Sequence, residues 1–413
     1  MGRIYISFLG TGNYSECEYV FNDRPIKTRF IQQALIELFC NDFTGGDRLC
    51  FFLTGEARAK NWETGNERGL KDIIASLGLP AEIVTVDIPD GKSEKEIWKI
   101  FNALYETLNE NDSVILDITH GFRSLPMLGF VSLYYARHLK NVTVEDIYYG
   151  AFDARDQVTG KVPIFQLTQF YSLIQWSSAA DAFVNYGVSD KLKALVRETA
   201  RFFHGSQGVV DAITNVTESM SLIRGGDIVE GTVFSKCRNK MDELEAKGVF
   251  QASFKPIFRK VREKLNEFTE NNPMNFLYAV KWYLNHKMIP QALTMMQEGL
   301  LTFLMEIKKI DYRDRKNREY YGAFLQYLAN LKNLKREATL DEEQNKQIKI
   351  WGLDFEDKFS VEASSIYNRI SQLRNDVNHG GFNKEATSYG KIVSNVNKLF
   401  EEIEKSCQEL SAS

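Results

Sequence analysis

Short apolar runs alternate with longer amphipathic stretches over the first 170 residues. The runs are rich in Val, Ile, Phe and Tyr and too short for buried helices, so they predict strands, at 4–9, 49–54, 82–88, 113–119 and 142–150. The stretches between them predict helices, at 28–40, 66–76, 93–108 and 125–139. This alternation predicts a parallel sheet covered by helices, an α/β Rossmann-like domain.

The strand pattern disappears after about residue 170, and apolar residues then recur at helical spacing. We therefore expect an all-α middle and an all-α C-terminal domain. The expected domains are 1–170, a helical linker at 171–272 that includes a candidate helix-turn-helix, and 273–413. Residues 221–231, with three glycines, predict a loop, and 330–349 predict a loop or a solvated helix.

Composition narrows the class of protein. A hydrophobic content of 44% excludes wholesale disorder, and a net charge of −4 argues against a globally basic nucleic-acid binder. No apolar stretch approaches the roughly 20 residues that cross a bilayer, and the amino terminus lacks the features of a signal peptide. The five scattered cysteines predict neither a disulfide framework nor structural zinc. We expect a cytoplasmic protein without contact to a membrane.

A glycine-containing loop follows the first predicted strand directly. It comprises Gly10, Thr11, Gly12 and Asn13, and Ser15 stands where a dinucleotide fingerprint would need its third glycine. Loops at the carboxyl ends of parallel strands commonly bind ligands, and free amides there can cradle a phosphate. The alternative is a tight turn that binds nothing.

A polar run, 117–126, follows the strand predicted at 113–119. Thr119, His120 and Arg123 suit a phosphate-bearing ligand at the start of a helix. Asp117 and His120 could form a catalytic pair, but strand residues three apart point to opposite faces. We favour a bracing role for Asp117.

The pattern Asp-x-Thr-His-Gly-Phe-Arg after a strand resembles the signature of CRISPR-associated Rossmann-fold (CARF) proteins, and those with Thr-His-Gly resemble the accessory ribonucleases of type III CRISPR systems. The resemblance implies a dimer whose cleft holds a cyclic oligoadenylate, with cyclic tetra-adenylate favoured over cyclic hexa-adenylate. It implies that the cleft is lined by Gly10, Thr11, Gly12, Asn13, Thr54, Thr119, His120, Gly121, Phe122 and Arg123. Trp62 is a candidate for stacking on adenine, although a core or dimer-contact role is at least as consistent with the sequence.

A second motif lies near the carboxyl terminus. Arg374, Asn375 and His379 end a predicted amphipathic helix at 361–378, and two glycines follow. Asn375 and His379 are spaced i, i+4 and share a helix face. The set resembles the active motif of HEPN ribonucleases, in which Arg, a polar residue and His are catalytic. A histidine that merely suits a helix carboxyl terminus is the alternative.

Together these resemblances imply a homodimer or higher oligomer that cleaves single-stranded RNA without metal or cofactor. The ribose 2′-hydroxyl is the nucleophile, so His can move protons while Arg neutralises phosphate charge. The interleaved cations and tyrosines of 308–321 are a candidate RNA-binding stretch, although an ordinary solvated face is favoured, and Glu298 is a candidate partner of Arg374 or His379. The rival functions are a ligand-responsive transcription regulator and a ring nuclease that degrades the cyclic oligoadenylate.

Overall fold

A computed structural model describes residues 2–64, 68–120, 125–199, 206–248, 254–332, 340–353, 355, 358–380, 382 and 387–412. The chain forms two compact units, Met1–Ser172 and Leu173–Ser413. The described residues include no helix that is both long and apolar enough to cross a membrane.

The first unit contains an eight-stranded mixed sheet. Its strands are β1 Arg3–Leu9, β2 Cys17–Phe21, β3 Arg24–Thr28, β4 Arg48–Leu53, β5 Glu82–Asp87, β6 Ser113–Asp117, β7 Thr143–Gly150 and β8 Lys161–Gln166. Their spatial order is β3-β2-β8-β7-β6-β1-β4-β5, and the five strands from β7 to β5 run parallel. Strand β4 pairs with one edge of β1, and β6, which comes later in the chain, pairs with the other edge. The carboxyl ends of β1 and β6 therefore flank the point where strand order reverses, which is the usual ligand site of such sheets.

Helices cover both faces of this sheet. They are α1 Ile31–Phe39, α2 Gly55–Ala57 with the π-helical turn Arg58–Trp62, α3 Leu70–Ser76, α4 Glu94–Thr107 and α5 Leu125–Lys140, and a 3-10 turn spans Phe152–Ala154. Successive β1 residues alternate between two apolar cores, with Tyr5 in one and Ile4 and Ile6 in the other. Both faces of β1 are thus buried, as its nearly continuous apolar sequence requires.

The second unit is helical. Helix α6 Thr168–Tyr186 leads into it, and its remaining helices are α7 Asp190–Thr199, α8 Ser206–Ser221, α9 Gly225–Glu230, α10 Thr232–Ala246, α11 Lys255–Glu263, α12 Asn275–Asn285, α13 Ile289–Ile307, α14 Arg315–Lys332, α15 Glu342–Ile350, α16 Lys358–Asn378 and α17 Tyr389–Ala412. One apolar core extends from Trp176 to Cys407. The predicted separation of a middle and a carboxyl-terminal domain near residue 272 stays a prediction.

The predicted fold class is confirmed, since a Rossmann-like α/β unit precedes a helical region. The prediction of a loop at 221–231 was wrong in part, because α9 occupies Gly225–Glu230. Burial of Ile228 in the helical core stabilises α9 despite its glycines, and Val229 is buried as well. The sequence patterns also missed β2, β3 and β8, which extend the sheet beyond β7.

Candidate functional site

A cavity of about 270 Å³ lies at the carboxyl ends of the central strands, where strand order reverses. It is lined by Phe8, Leu9, Gly10, Thr11, Gly12, Tyr14, Phe52, Thr54, Ile88, Thr119, His120 and Leu125. Six of the residues proposed from the sequence therefore meet at one cavity, although Asn13 is not part of the lining. Gly121, Phe122 and Arg123 lie outside the described residues.

Asp117 fixes the turn after β6. One carboxylate oxygen accepts a hydrogen bond from the Thr119 amide at 2.8 Å, and the other accepts from Ser7 Oγ at 2.7 Å and Tyr5 Oη at 3.2 Å. The side chain is completely buried, so these donors compensate for its lost hydration. The Thr119 hydroxyl in turn accepts from the Gly150 amide at 2.8 Å. Asp117 therefore has a structural role, since it holds the turn that lines the cavity.

His120 lies at the edge of the cavity with its ring against Tyr14, at a centroid separation of 4.6 Å. Burial lowers the pKa of His120, while the Asp117 carboxylate acts in the opposite direction. The imidazole is therefore neutral at neutral pH. Its Nε2 is buried and has no hydrogen-bond partner in the described parts of the chain. This nitrogen is a ready donor or acceptor for a bound ligand.

Two residues hold the glycine loop in place, namely Tyr14 at the end of the loop segment and Asn61, which no sequence pattern singled out. Asn61 Nδ2 donates to the carbonyls of both Gly10 and Gly12, each at 3.0 Å. Tyr14 packs edge-on against Phe30 and, in a tilted arrangement, against His120. Burial raises the pKa of Tyr14 to about 12, so its hydroxyl stays protonated. Neither residue belongs to a recognisable motif, and only the fold brings Asn61 to the loop.

Trp62 does not face the cavity lining. Its side chain is 2% exposed and packs at 4.9 Å from the ring of Phe51. The residue belongs to the apolar core, so the adenine-stacking alternative is wrong for this structure.

The second candidate site is a pocket of about 930 Å³ between α16 and α17. It is lined by Arg369, Gln372, Leu373, Asn375, Asp376, His379, Thr387, Asn395, Lys398 and Leu399. Asn375 and His379 share the lining because they are one helical turn apart. Both side chains are exposed to solvent.

Arg374 is not part of that lining. Its Nη1 donates to Gln297 Oε1 at 2.8 Å and lies 3.7 Å from Glu298 Oε1, while Arg318 Nη2 binds the other Glu298 oxygen at 2.6 Å. Residues five apart on an α-helix project about 140° from each other, which explains why Arg374 and His379 face different neighbours. One chain alone therefore does not gather the predicted triad.

The cations of 308–321 are mostly paired. Arg313 binds Glu230 at 2.7 Å, Arg315 binds Glu319 at 2.8 Å and Lys316 lies 3.5 Å from Glu343. Arg318 is bound to Glu298, so four of the six cations in this stretch have an acidic partner. No group of three or more His, Cys, Asp or Glu within the described ranges is placed to hold a metal ion.

Comparison with known proteins gives matches for the amino-terminal unit and for longer parts of the chain. Residues 4–153 match the family model described as the CARF domain of the CRISPR system endoribonuclease Csx1. The CRISPR-associated protein MJ1674 of Methanocaldococcus jannaschii is 25% identical over 237 residues, and the match covers 54% of this chain and 35% of that relative's length. A solved Csm6 of Enterococcus italicus, bound to cyclic hexa-2′-fluoro-hexa-dAMP, is 14% identical with a TM-score of 0.45, covering 98% of this chain and 95% of the other. The resemblance drawn from the run after β6 is confirmed.

Proposed function

We propose, from the match of residues 4–153 to the CARF-domain family model, that this chain is a cyclic-oligoadenylate-activated endoribonuclease of type III CRISPR defence. The observation that carries the proposal is the presence of two separate sites in one chain. A cavity with both polar and apolar lining lies at the strand-order reversal of the amino-terminal sheet. A pocket presenting His379 and Asn375 lies in the helical unit.

The amino-terminal cavity suits part of a cyclic oligonucleotide. Its volume of about 270 Å³ lies just below the usual 300–1,000 Å³ of small-molecule sites. Two such cavities related by a two-fold axis would hold a symmetric ring. Backbone amides of the glycine loop, the Thr119 segment and the free His120 Nε2 supply hydrogen bonds to phosphate and adenine. We favour cyclic tetra-adenylate over cyclic hexa-adenylate, and parallel titration of RNA cleavage with both rings tests the choice.

An apolar face on α5 supports dimerisation. Met127, Val131, Tyr135 and Leu139 recur every four residues and are between 46% and 63% exposed. Large contiguous apolar patches on soluble proteins commonly mark interfaces. Because α5 begins at Leu125, which lines the cavity, covering this face with a second copy would place two cavities near one interface.

Placing a charge on this face should separate the two copies. Val131→Glu is expected to convert the dimer to a monomer in light scattering, because the carboxylate would have to be desolvated at the interface. Val158→Glu is the matched control, since Val158 is 94% exposed and lies outside the α5 face. A Val131→Glu protein that stays dimeric would show that copies associate elsewhere.

Cleavage at the α16–α17 pocket needs no nucleophile from the protein. The 2′-hydroxyl of RNA attacks the adjacent phosphate, His379 transfers protons, Asn375 orients His379 or the phosphate, and Arg374 neutralises charge in the transition state. The products are a 2′,3′-cyclic phosphate or 3′-phosphate and a 5′-hydroxyl. Because one chain holds Arg374 and His379 on different faces of α16, we propose that a second copy completes the site.

Loosening the glycine loop should weaken activation. Asn61→Ala removes two hydrogen bonds worth about 1 kcal/mol each, so the activator concentration for half-maximal RNA cleavage is expected to rise about tenfold or more. The rate at saturating activator should change little. The neighbouring control Lys60→Ala removes only a surface ion pair with Glu56. An unchanged activation constant in Asn61→Ala would remove the loop from the proposed activator site.

A further inference from the structure

The charged residues that line the α16–α17 pocket differ in whether each has a bound partner. Arg369 forms two hydrogen bonds with the Glu402 carboxylate, at 2.6 and 2.9 Å, so its charge is balanced. Asp376 accepts from the Thr387 amide at 3.3 Å, just before α17 begins. Both groups therefore serve to hold the two helices and their connection together.

Lys398 differs from these groups. It lines the same pocket as His379 but projects from α17, and its side chain is exposed. No carboxylate pairs with it among the residues that the structure describes. Besides Arg369, Asp376 and His379, the polar lining includes the side-chain amides of Gln372, Asn375 and Asn395. The pocket thus contains one cation without a carboxylate partner in the described residues, together with the Asp376 carboxylate bound by the Thr387 amide and three neutral amides.

We infer that Lys398 binds a backbone phosphate of the RNA strand in the pocket that contains His379. The inference rests on the proposed ribonuclease function and adds a substrate-binding residue to it. An ammonium group is a compact cation that attracts phosphate without demanding a fixed geometry. The side-chain amides suit base edges and ribose hydroxyls. Arg374 of the same chain is held by Gln297 outside this lining, so Lys398 is the cation left to anchor the strand.

The test compares Lys398→Ala, Lys398→Arg and Lys405→Ala in the full chain with cyclic tetra-adenylate as activator. Lys405 lies on the same helix, is exposed and pairs with Glu409, which makes it the matched control. Cleavage of a single-stranded RNA oligonucleotide gives KM and kcat. Binding of its uncleavable 2′-O-methyl counterpart gives Kd at several salt concentrations.

For Lys398→Ala we expect KM and Kd to rise about tenfold with kcat nearly unchanged. The slope of log affinity against log salt should become less steep by about 0.7, the value for one phosphate contact on a single strand. Lys398→Arg should restore most of the affinity, and Lys405→Ala should behave as the unsubstituted protein. Lys398→Gln is a second neutral substitution at this position, which distinguishes loss of the charge from a folding defect caused by alanine itself.

Unchanged KM, Kd and salt slope in Lys398→Ala would overturn the inference, and a loss confined to kcat would overturn it as well. The proposed function fails separately, if the unsubstituted protein does not cut RNA with either activator or if His379→Ala still cuts. In that event, Kd of the uncleavable oligonucleotide still tests Lys398 by itself.

Discussion

Substitution of His379 by alanine is expected to lower kcat for activated RNA cleavage by about 10²–10⁴-fold, the usual contribution of a general acid–base residue. KM should change little, because in the proposed mechanism the imidazole transfers protons and does not hold the bound strand. The exposed position of His379 on the pocket lining means that alanine leaves no cavity in the core. Single-turnover cleavage of a fluorescent oligonucleotide measures the loss.

The matched control for His379 is Asn378→Ala. Asn378 is the adjacent exposed residue at the end of α16 and does not line the pocket. If the proposed mechanism holds, an oligonucleotide with deoxyribose at the cut position should resist the unsubstituted protein, since it lacks the internal nucleophile. Activated cutting that survives in His379→Ala would reject the assigned site.

Activator degradation without any RNA cleavage would instead favour the ring nuclease, and sequence-specific DNA binding would favour the transcription regulator.

The second large effect is expected at Gly10. A Cβ at this position would lie 2.5 Å from Tyr14 Oη, and the Tyr14 ring cannot retreat easily because it packs against both Phe30 and His120. Gly10→Ala should therefore displace the loop or the ring and raise the activation constant at least 100-fold. Calorimetric titration with cyclic tetra-adenylate measures the loss of binding directly.

Alanine substitutions at two other glycines serve as comparisons for Gly10→Ala. At Gly12 the nearest atom to an added Cβ would be 3.6 Å away, an ordinary contact, so Gly12→Ala should cost far less than Gly10→Ala. Gly46 faces open space, and Gly46→Ala should leave binding unchanged. Equal tolerance of alanine at positions 10 and 46 would show that the activator binds elsewhere.

The amino-terminal sheet was largely predictable because its central strands are nearly continuous apolar runs. Five strands lie within a few residues of their predicted bounds, and the helix predicted from residue 93 begins there, with Ser93 accepting a hydrogen bond from the Glu96 amide. The hairpin of β2 and β3 was missed because its short strands are partly exposed and polar. Its turn residues Asn22 and Asp23 both have positive φ, and that pair was the available signal.

The candidate sites were predictable only in part. Loop positions such as Gly10 and Thr119 follow from the rule that strand ends meet at one sheet edge, which is a property of the fold class. Asn61 could not be found in this way, because its contacts with the loop span about fifty residues of sequence and depend on a π-helical turn. The orientation of Arg374 depended similarly on its hydrogen bond to Gln297 in α13.

Glu298 divides its carboxylate between two guanidinium groups, one from Arg318 and one from Arg374. The shorter contact is to Arg318, at 2.6 Å, so the anion keeps a close counter-ion when Arg374 leaves. If α16 rotated toward a partner subunit, Glu298 would therefore not be left without a counter-ion. An unpaired buried charge is the main cost of opening an ion pair. The contact between Glu298 and Arg374 can thus open at modest energetic expense, as the proposed activation by a small molecule would require.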